Sequence, residues 1–139
     1  MNLKIDSAIF AEFPGLVIGV VMAKGINNSG SIAEVEKKLR ELEAGIKSKY
    51  STETLSEHPK IDVWRKAYVA FGAKPKENKS SVENLHRLVL QGNNLRHINR
   101  LVDIYNLISL KHMLPLGGED VDKIKGDLIL TFAALNGTP

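Results

Sequence analysis

Residues Leu95–Asp120 read LRHINRLVDIYNLISLKHMLPLGGED, and the fold turns on how this stretch is read. Its first part is apolar on most sides: Ile98, Leu101, Val102, Ile104, Tyr105, Leu107, Ile108 and Leu110. A surface helix shows one apolar stripe, whereas a helix apolar on most sides is buried. The pattern therefore predicts a buried helix running from Leu95 to Met113–Leu114. Asn99, Asp103 and Asn106 interrupt the apolar surface at spacings of four and three, so they share one face. Short polar side chains in this setting point to fixed hydrogen-bond partners; a solvated face would carry Lys and Glu. Pro115-Leu116-Gly117-Gly118 follows. The residue before a proline is pushed out of the α region, and glycines permit unusual backbone angles. A polar stripe beside a tight glycine loop is an arrangement that can line a pocket.

Upstream, Ser80 with Glu83 forms a capping box. Val82, Leu85, Leu88 and Val89 then make a core face, and Gly92 ends that helix. An exposed basic loop, Ala73–Lys79 (AKPKENK), precedes it. His58-Pro59 opens a further helix, with proline suited to the first turn. Ile61, Trp64, Tyr68 and Phe71 follow at helical spacing, and Gly72 is placed as a C′ glycine. An aromatic stripe can stack bases, but at this spacing it reads first as core. Ser31 with Glu34 makes another capping box before an amphipathic helix carrying Ile32, Val35, Leu39, Leu42 and Ile46.

Towards the N-terminus, Leu3, Ile5, Ser7 and Ile9 alternate with other residues as in a half-buried strand. Phe13-Pro14-Gly15 is a turn. Leu16–Ala23 (LVIGVVMA) is β-branched and apolar, so a buried strand is expected, with Gly19 marking close backbone approach or a bulge. Downstream, Asp127–Ala133 (DLILTFA) reads as a strand, and Asn136-Gly137 is a hairpin-turn signal. Strands at both ends with four helices between give an α+β class, or a small layered α/β arrangement, in a single domain over residues 1–139. So few strands mean a small sheet, strands supplied by a partner, or a fragment of a longer domain.

The chain has 139 residues, 43% of them hydrophobic and 25% charged, as in ordinary globular proteins. It has no cysteine, which excludes a disulfide framework and a thiolate metal site. No apolar run is long enough to span a membrane, and the N-terminus lacks the apolar core of a signal peptide. A cytoplasmic protein without membrane contact is expected. The net charge of +3 is only mildly basic. Its distribution says more: Lys74, Lys76 and Lys79 crowd one loop, with Arg65, Lys66 and Arg87 around it, and Arg96 and Arg100 flank the start of the central helix. The simplest reading is a solvated basic surface; the sharper one is a nucleic-acid contact.

No phosphate loop or dinucleotide fingerprint is present. His58, His86, His97 and His112 do not take a metal-binding spacing such as HExxH, and neither a metal nor a cofactor is expected. There is no GxSxG elbow. Asp103, Asp120 and Asp122 could bring two carboxylates together for acid–base work, although Asp120 is more simply a turn or cap residue and Asp122 a solvated one.

One resemblance adds to this. Val102-Asp103-Ile104-Tyr105-Asn106, then Leu114-Pro115-Leu116, then Asp120, Asp122-Lys123-Ile124 and Gly126-Asp127, resembles the B3/B4 domain of the phenylalanyl-tRNA synthetase beta subunit. His58-Pro59, Trp64-Arg65, Tyr68, Phe71-Gly72, Pro75 and Ser80–Glu83 are similar to a stand-alone group of B3/B4-domain proteins. The resemblance covers roughly Phe13 to Ala133. It implies a tRNA-associated function, since the synthetase domain hydrolyses tyrosine wrongly attached to the tRNA for phenylalanine. Asn106 matches the helix asparagine of that editing pocket. Tyr105 stands where the synthetase usually has threonine, Gly117 where it has the pocket histidine, and Gly118 where it has alanine. The family continues past the last strand, so the resemblance also implies a C-terminally truncated chain.

Taken together, Asn106 and Asp103 are the candidates for orienting a hydrolytic water. Tyr105, Pro115, Gly117 and Gly118 are the candidate substrate-binding residues, with backbone N–H groups available to an oxyanion. Lys74, Lys76, Lys79, Arg96 and Arg100 are the candidate tRNA contacts. The same Asp103 and Asn106 could instead tie the helix to its neighbours, because buried polar groups must be paired. Two other readings compete: an interaction or homo-oligomerisation module that uses the edge of the last strand, and a binder of a free aromatic amino acid.

Overall fold

A computed structural model describes residues 2–133 of the chain; the Asn136-Gly137 turn signal lies outside them. The element order is β1 (Leu3–Ile5), α1 (Ser7–Glu12), α2 (Ala33–Lys49), a 3₁₀ turn (Leu55–Glu57), α3 (Pro59–Ala70), α4 (Ser81–Leu90), α5 (Arg100–His112) and β2 (Leu128–Leu130). The class is α+β, with the four expected helices lying between two terminal strands. The described residues fall into two compact units. One comes from the two ends of the chain, up to Ile26 and from Glu119, and the other is Asn27–Gly118.

In the first unit β1 and β2 pair in parallel, Leu3 opposite Leu128 and Ile5 opposite Leu130. Asp127 anchors the pairing. Its carboxylate takes the backbone N–H of Asn2 at 2.8 Å and Lys4 Nζ at 2.6 Å. Asp6 ends β1 and starts α1, since its Oδ1 accepts the Ala8 N–H at 2.9 Å. The alternation Leu3–Ile9 therefore gives a three-residue strand followed by a helix, where one longer strand was expected. A single N-cap aspartate redirects the backbone.

The expected buried strand at Leu16–Ala23 is absent. These residues take no regular structure, and Val17 and Val21 are 89% and 94% exposed. Gly19 has no close neighbour that would explain its place in the run. β-propensity only says that a residue suits a pleated, half-buried surface; a strand also needs a partner for its backbone groups. Among the described residues no sheet edge meets this run.

The second unit carries the core. Leu39 and Ile46 of α2, Val89 of α4, Leu95 in the segment before α5, and Leu110 of α5 form one buried cluster. Leu55, Ile61, Val82 and Met113 form another, with Trp64 packed against it. Tyr50 and Leu90 touch both clusters. The predicted faces of α2 and α4 are thus the packed ones. The aromatic stripe of α3 begins in the core at Ile61 and leaves it at Phe71, whose ring lies 4.9 Å from that of Tyr68.

Several helix ends follow the sequence signals. His58 caps α3, its Nδ1 accepting the Lys60 N–H at 3.2 Å. Gly72 and Gly92 sit at positive φ just after α3 and α4, where a side chain would be strained. Ser80 caps α4 by accepting the Glu83 N–H. The Ser31–Glu34 capping box does not form. Ile32 is the N-cap of α2, and Glu34 pairs with Lys38 one turn on, at 2.6 Å.

The central helix is shorter and wetter than expected. It starts at Arg100, not Leu95, because two asparagines cap it there. Asn99 Oδ1 accepts the Val102 N–H at 2.9 Å, and Asn28 Oδ1 accepts the Leu101 N–H at 2.8 Å. Nor is it buried all round. α5 packs on α2 and α4, and away from them Leu101 and Ile108 stay exposed, as does Ile98 in the segment before the helix. The helix ends on Met113 at φ 54°, in the left-handed region, with its side chain buried.

Candidate functional site

The polar stripe of α5 does not act as one surface; its members separate into different roles. Asn99 is the N-cap. Asp103, in the first turn, turns back to the segment before the helix. Its Oδ1 accepts the Ile98 N–H at 3.2 Å, and its Oδ2 pairs with His97 Nδ1 at 2.5 Å. An ionised carboxylate only accepts, so His97 Nδ1 donates to it, and in the neutral ring Nε2 then keeps the lone pair. Asn106 lies one turn further on, half-buried, away from this pair's cavity.

That cavity measures about 300 Å³ and lies within the second unit. His97 and Asp103 line one side, and Ser31, Glu36 and Arg40 come from α2 and the residue just before its cap. Leu39, Leu95 and Asn94 complete the wall. Behind it sits a buried polar network. Glu43 is almost fully buried; its Oε1 accepts the Leu95 N–H at 2.8 Å and its Oε2 faces Arg40 Nη1 at 2.9 Å. Arg40 Nη2 donates to the Leu95 carbonyl at 2.7 Å. Turned so that its oxygen and nitrogen both find partners, the Asn94 amide donates to Glu43 at 3.1 Å and accepts from Arg40 at 3.2 Å. A buried carboxylate held by a guanidinium, a backbone N–H and an amide is satisfied at every turn, which fixes the Arg40 head beside the cavity.

The candidate substrate-binding residues gather elsewhere. The Tyr105 ring lies against Gly118, where an added Cβ would come 3.4 Å from Tyr105 Cε1. Gly117 is open, and Pro115 is half-buried. None of these residues, nor Asn106, lines the cavity that holds Asp103. The structure thus joins Tyr105 to Gly118 and Asp103 to His97, and keeps the two pairs as separate features.

The basic residues divide as well. Lys74 reaches Glu77 at 3.5 Å, and Lys79 Nζ donates to the Lys76 carbonyl at 2.6 Å, so the loop is tied to itself while its lysine heads stay at the surface. Arg96 is exposed. Arg100 is partly committed: its Nη1 donates to the Asn27 carbonyl at 3.4 Å. Arg65 and Arg87 both bond Glu83 Oε1, each at 2.8 Å. Glu83 is fully buried, so these two arginines serve the core first.

His97 was not singled out in the sequence as a site residue. The signal available was His-x₅-Asp across a helix start, a spacing that brings the two together only because Asn99 places the cap between them. Among the described residues no cluster of histidine and carboxylate side chains is arranged to hold a metal ion, and no helix is long and apolar enough to cross a membrane. Asp120 behaves as a turn residue, its Oδ1 accepting the Asp122 N–H at 3.1 Å.

Comparison with protein families gives a match to the B3/4 domain over residues 63–138. The comparisons with curated proteins and with solved structures give no match. The matched span takes in most of α3, the basic loop, α4, α5 and β2, more than half of the chain, and the protein belongs to the B3/4 domain family.

Proposed function

We propose that this B3/4 domain binds tRNA or an aminoacyl-tRNA and hydrolyses misacylated aminoacyl-tRNA in trans, in the cytoplasm. The observation that carries the reading is the family match over residues 63–138. The surface supports it: Lys74 and Lys76 present their ammonium groups on an exposed loop, with Lys79 beside them in sequence, and Arg96 is exposed in the segment before α5. Tyr105 packed on Gly118, beside Pro115, offers a flat apolar wall for an amino-acid side chain, and Asn106 on the same helix offers an amide.

The test is tRNA binding across a salt series together with release of amino acid from a panel of misacylated tRNAs. Each lysine that meets a phosphate should contribute about 0.7–0.9 to the slope of log affinity against log salt. Changing Lys74, Lys76 and Lys79 together to Ala should flatten that slope and weaken binding. Absence of both binding and release in the unaltered protein overturns the reading.

A second reading is favoured by one observation. Among the described residues β2 is paired with β1 alone, and its three residues Leu128, Ile129 and Leu130 are all exposed. A short apolar strand with an open edge is a surface for a second copy of the chain. Light scattering that shows a monomer at every workable concentration rules this out. A free aromatic amino acid as ligand is a third outcome, separated from the first by calorimetry with tyrosine and phenylalanine.

A further inference from the structure

Arg40 and Asn94 line one cavity together with His97 and Asp103, and the buried Glu43 holds Arg40 there. The cavity is about 300 Å³, large enough for an amino-acid moiety. The His97 side chain is 45% exposed, and Nε2 is the ring nitrogen not engaged by Asp103. An imidazole with one nitrogen bonded to a carboxylate and the other free is the arrangement of a general base. The Arg40 guanidinium, held by Glu43 and the Leu95 carbonyl, lines the same cavity, as does Glu36. Ser31 adds a hydroxyl, because the capping box that would have occupied it does not form.

We propose that this cavity is a hydrolytic site for aminoacyl esters, with His97 as the catalytic base and Asp103 as its positioning residue. The assignment rests on the proposed deacylase function and moves its chemistry away from Asn106. In the step, water attacks the ester carbonyl carbon while His97 Nε2 takes one of its protons. The carbon–oxygen bond to the ribose then breaks, and the departing oxygen takes the proton back from His97. Ester and water become free amino acid and a terminal ribose hydroxyl, and the imidazole returns to its starting state. Asp103 holds the tautomer that leaves Nε2 free and stabilises the ring while it is charged.

The experiment uses the full chain and misacylated tRNA. His97→Ala should lower the turnover number by at least about 100-fold, the usual size of a general-base contribution, with tRNA affinity unchanged. Added imidazole should restore part of the lost rate, which a merely structural histidine would not allow. Asp103→Asn should lower turnover and leave the Michaelis constant in place; circular dichroism and a urea midpoint report whether the helix start survives. If His97→Ala keeps the original rate, the assignment falls and the deacylase reading stands. If the unaltered protein binds tRNA but releases nothing, the assignment falls and a binding function remains. If it does neither, both fall. Loss of rate in His97→Ala that imidazole restores, with tRNA affinity kept, establishes the site.

Discussion

Glu83 and Arg87 stand one turn apart on α4 and meet at 2.8 Å, carboxylate oxygen to Nε, with the glutamate fully buried. The same oxygen takes Arg65 from α3, while Arg87 Nη1 reaches on to the Thr52 carbonyl at 3.1 Å. One buried acid thus ties α3, α4 and the turn before α3 together. A buried charge that loses its partner is left with the full cost of desolvation. Arg87→Met leaves Arg65 on Glu83, so it is expected to destabilise the protein by about 1.5–3 kcal/mol in urea unfolding, the worth of one charged hydrogen bond and short of a full loss of partner. Lys38→Ala, which breaks the exposed pair with Glu34, should leave the urea midpoint where it is.

The start of α5 depends on its caps. Asn99→Ala removes the acceptor for the Val102 N–H and should cost about 1 kcal/mol. Because Asp103 and His97 face each other across that helix start, the same change should loosen their pairing. A thermal melt measures the first effect, and nitrogen chemical shifts of the His97 ring measure the second.

His86 sets an acid limit on stability. It is buried, its Nδ1 donates to the Val82 carbonyl at 2.9 Å, and Nε2 has no partner among the described residues. Burial holds its pKa below the ordinary 6.5, with the nearby His58 adding to the effect. The unfolded chain therefore binds a proton more readily than the folded one between the ordinary and the depressed value. Stability should be flat above about pH 7 and fall as pH drops through 6.5 toward the folded-state pKa. Urea midpoints at several pH values check this, and His86→Gln should remove that part of the slope.

Met113 combines strain with burial. Its φ of 54° costs about 1–2 kcal/mol for a residue with a Cβ, and glycine would relieve it. Its side chain is packed with Leu55, Ile61 and Val82, and losing a buried Met costs about 2–5 kcal/mol. Packing outweighs strain, so Met113→Gly should be destabilising by about 1–3 kcal/mol in urea unfolding. A stabilised variant would mean that the backbone term is the larger one.

Periodicity and capping chemistry made much of the second unit legible in the sequence. The faces of α2 and α4, the glycines after α3 and α4 and the His58 cap are all local: each needs only residues within a few positions of one another, and each forms as read. The family, too, was legible from the order of short motifs through Asp103, Pro115 and Asp120. Strand formation was not local. Leu16–Ala23 and Asp127–Ala133 have the same apolar, β-branched character, yet only Leu128–Leu130 finds a partner, more than 120 positions away in β1. Residue type says that a segment suits a sheet, whereas pairing is decided by what the rest of the chain brings alongside. The candidate site divides in the same way. Sequence picked out Asp103, because an acid in an oily helix demands a partner. Only the tertiary structure decided that the partner is His97, and that Arg40, held by the buried Glu43, lines the same cavity.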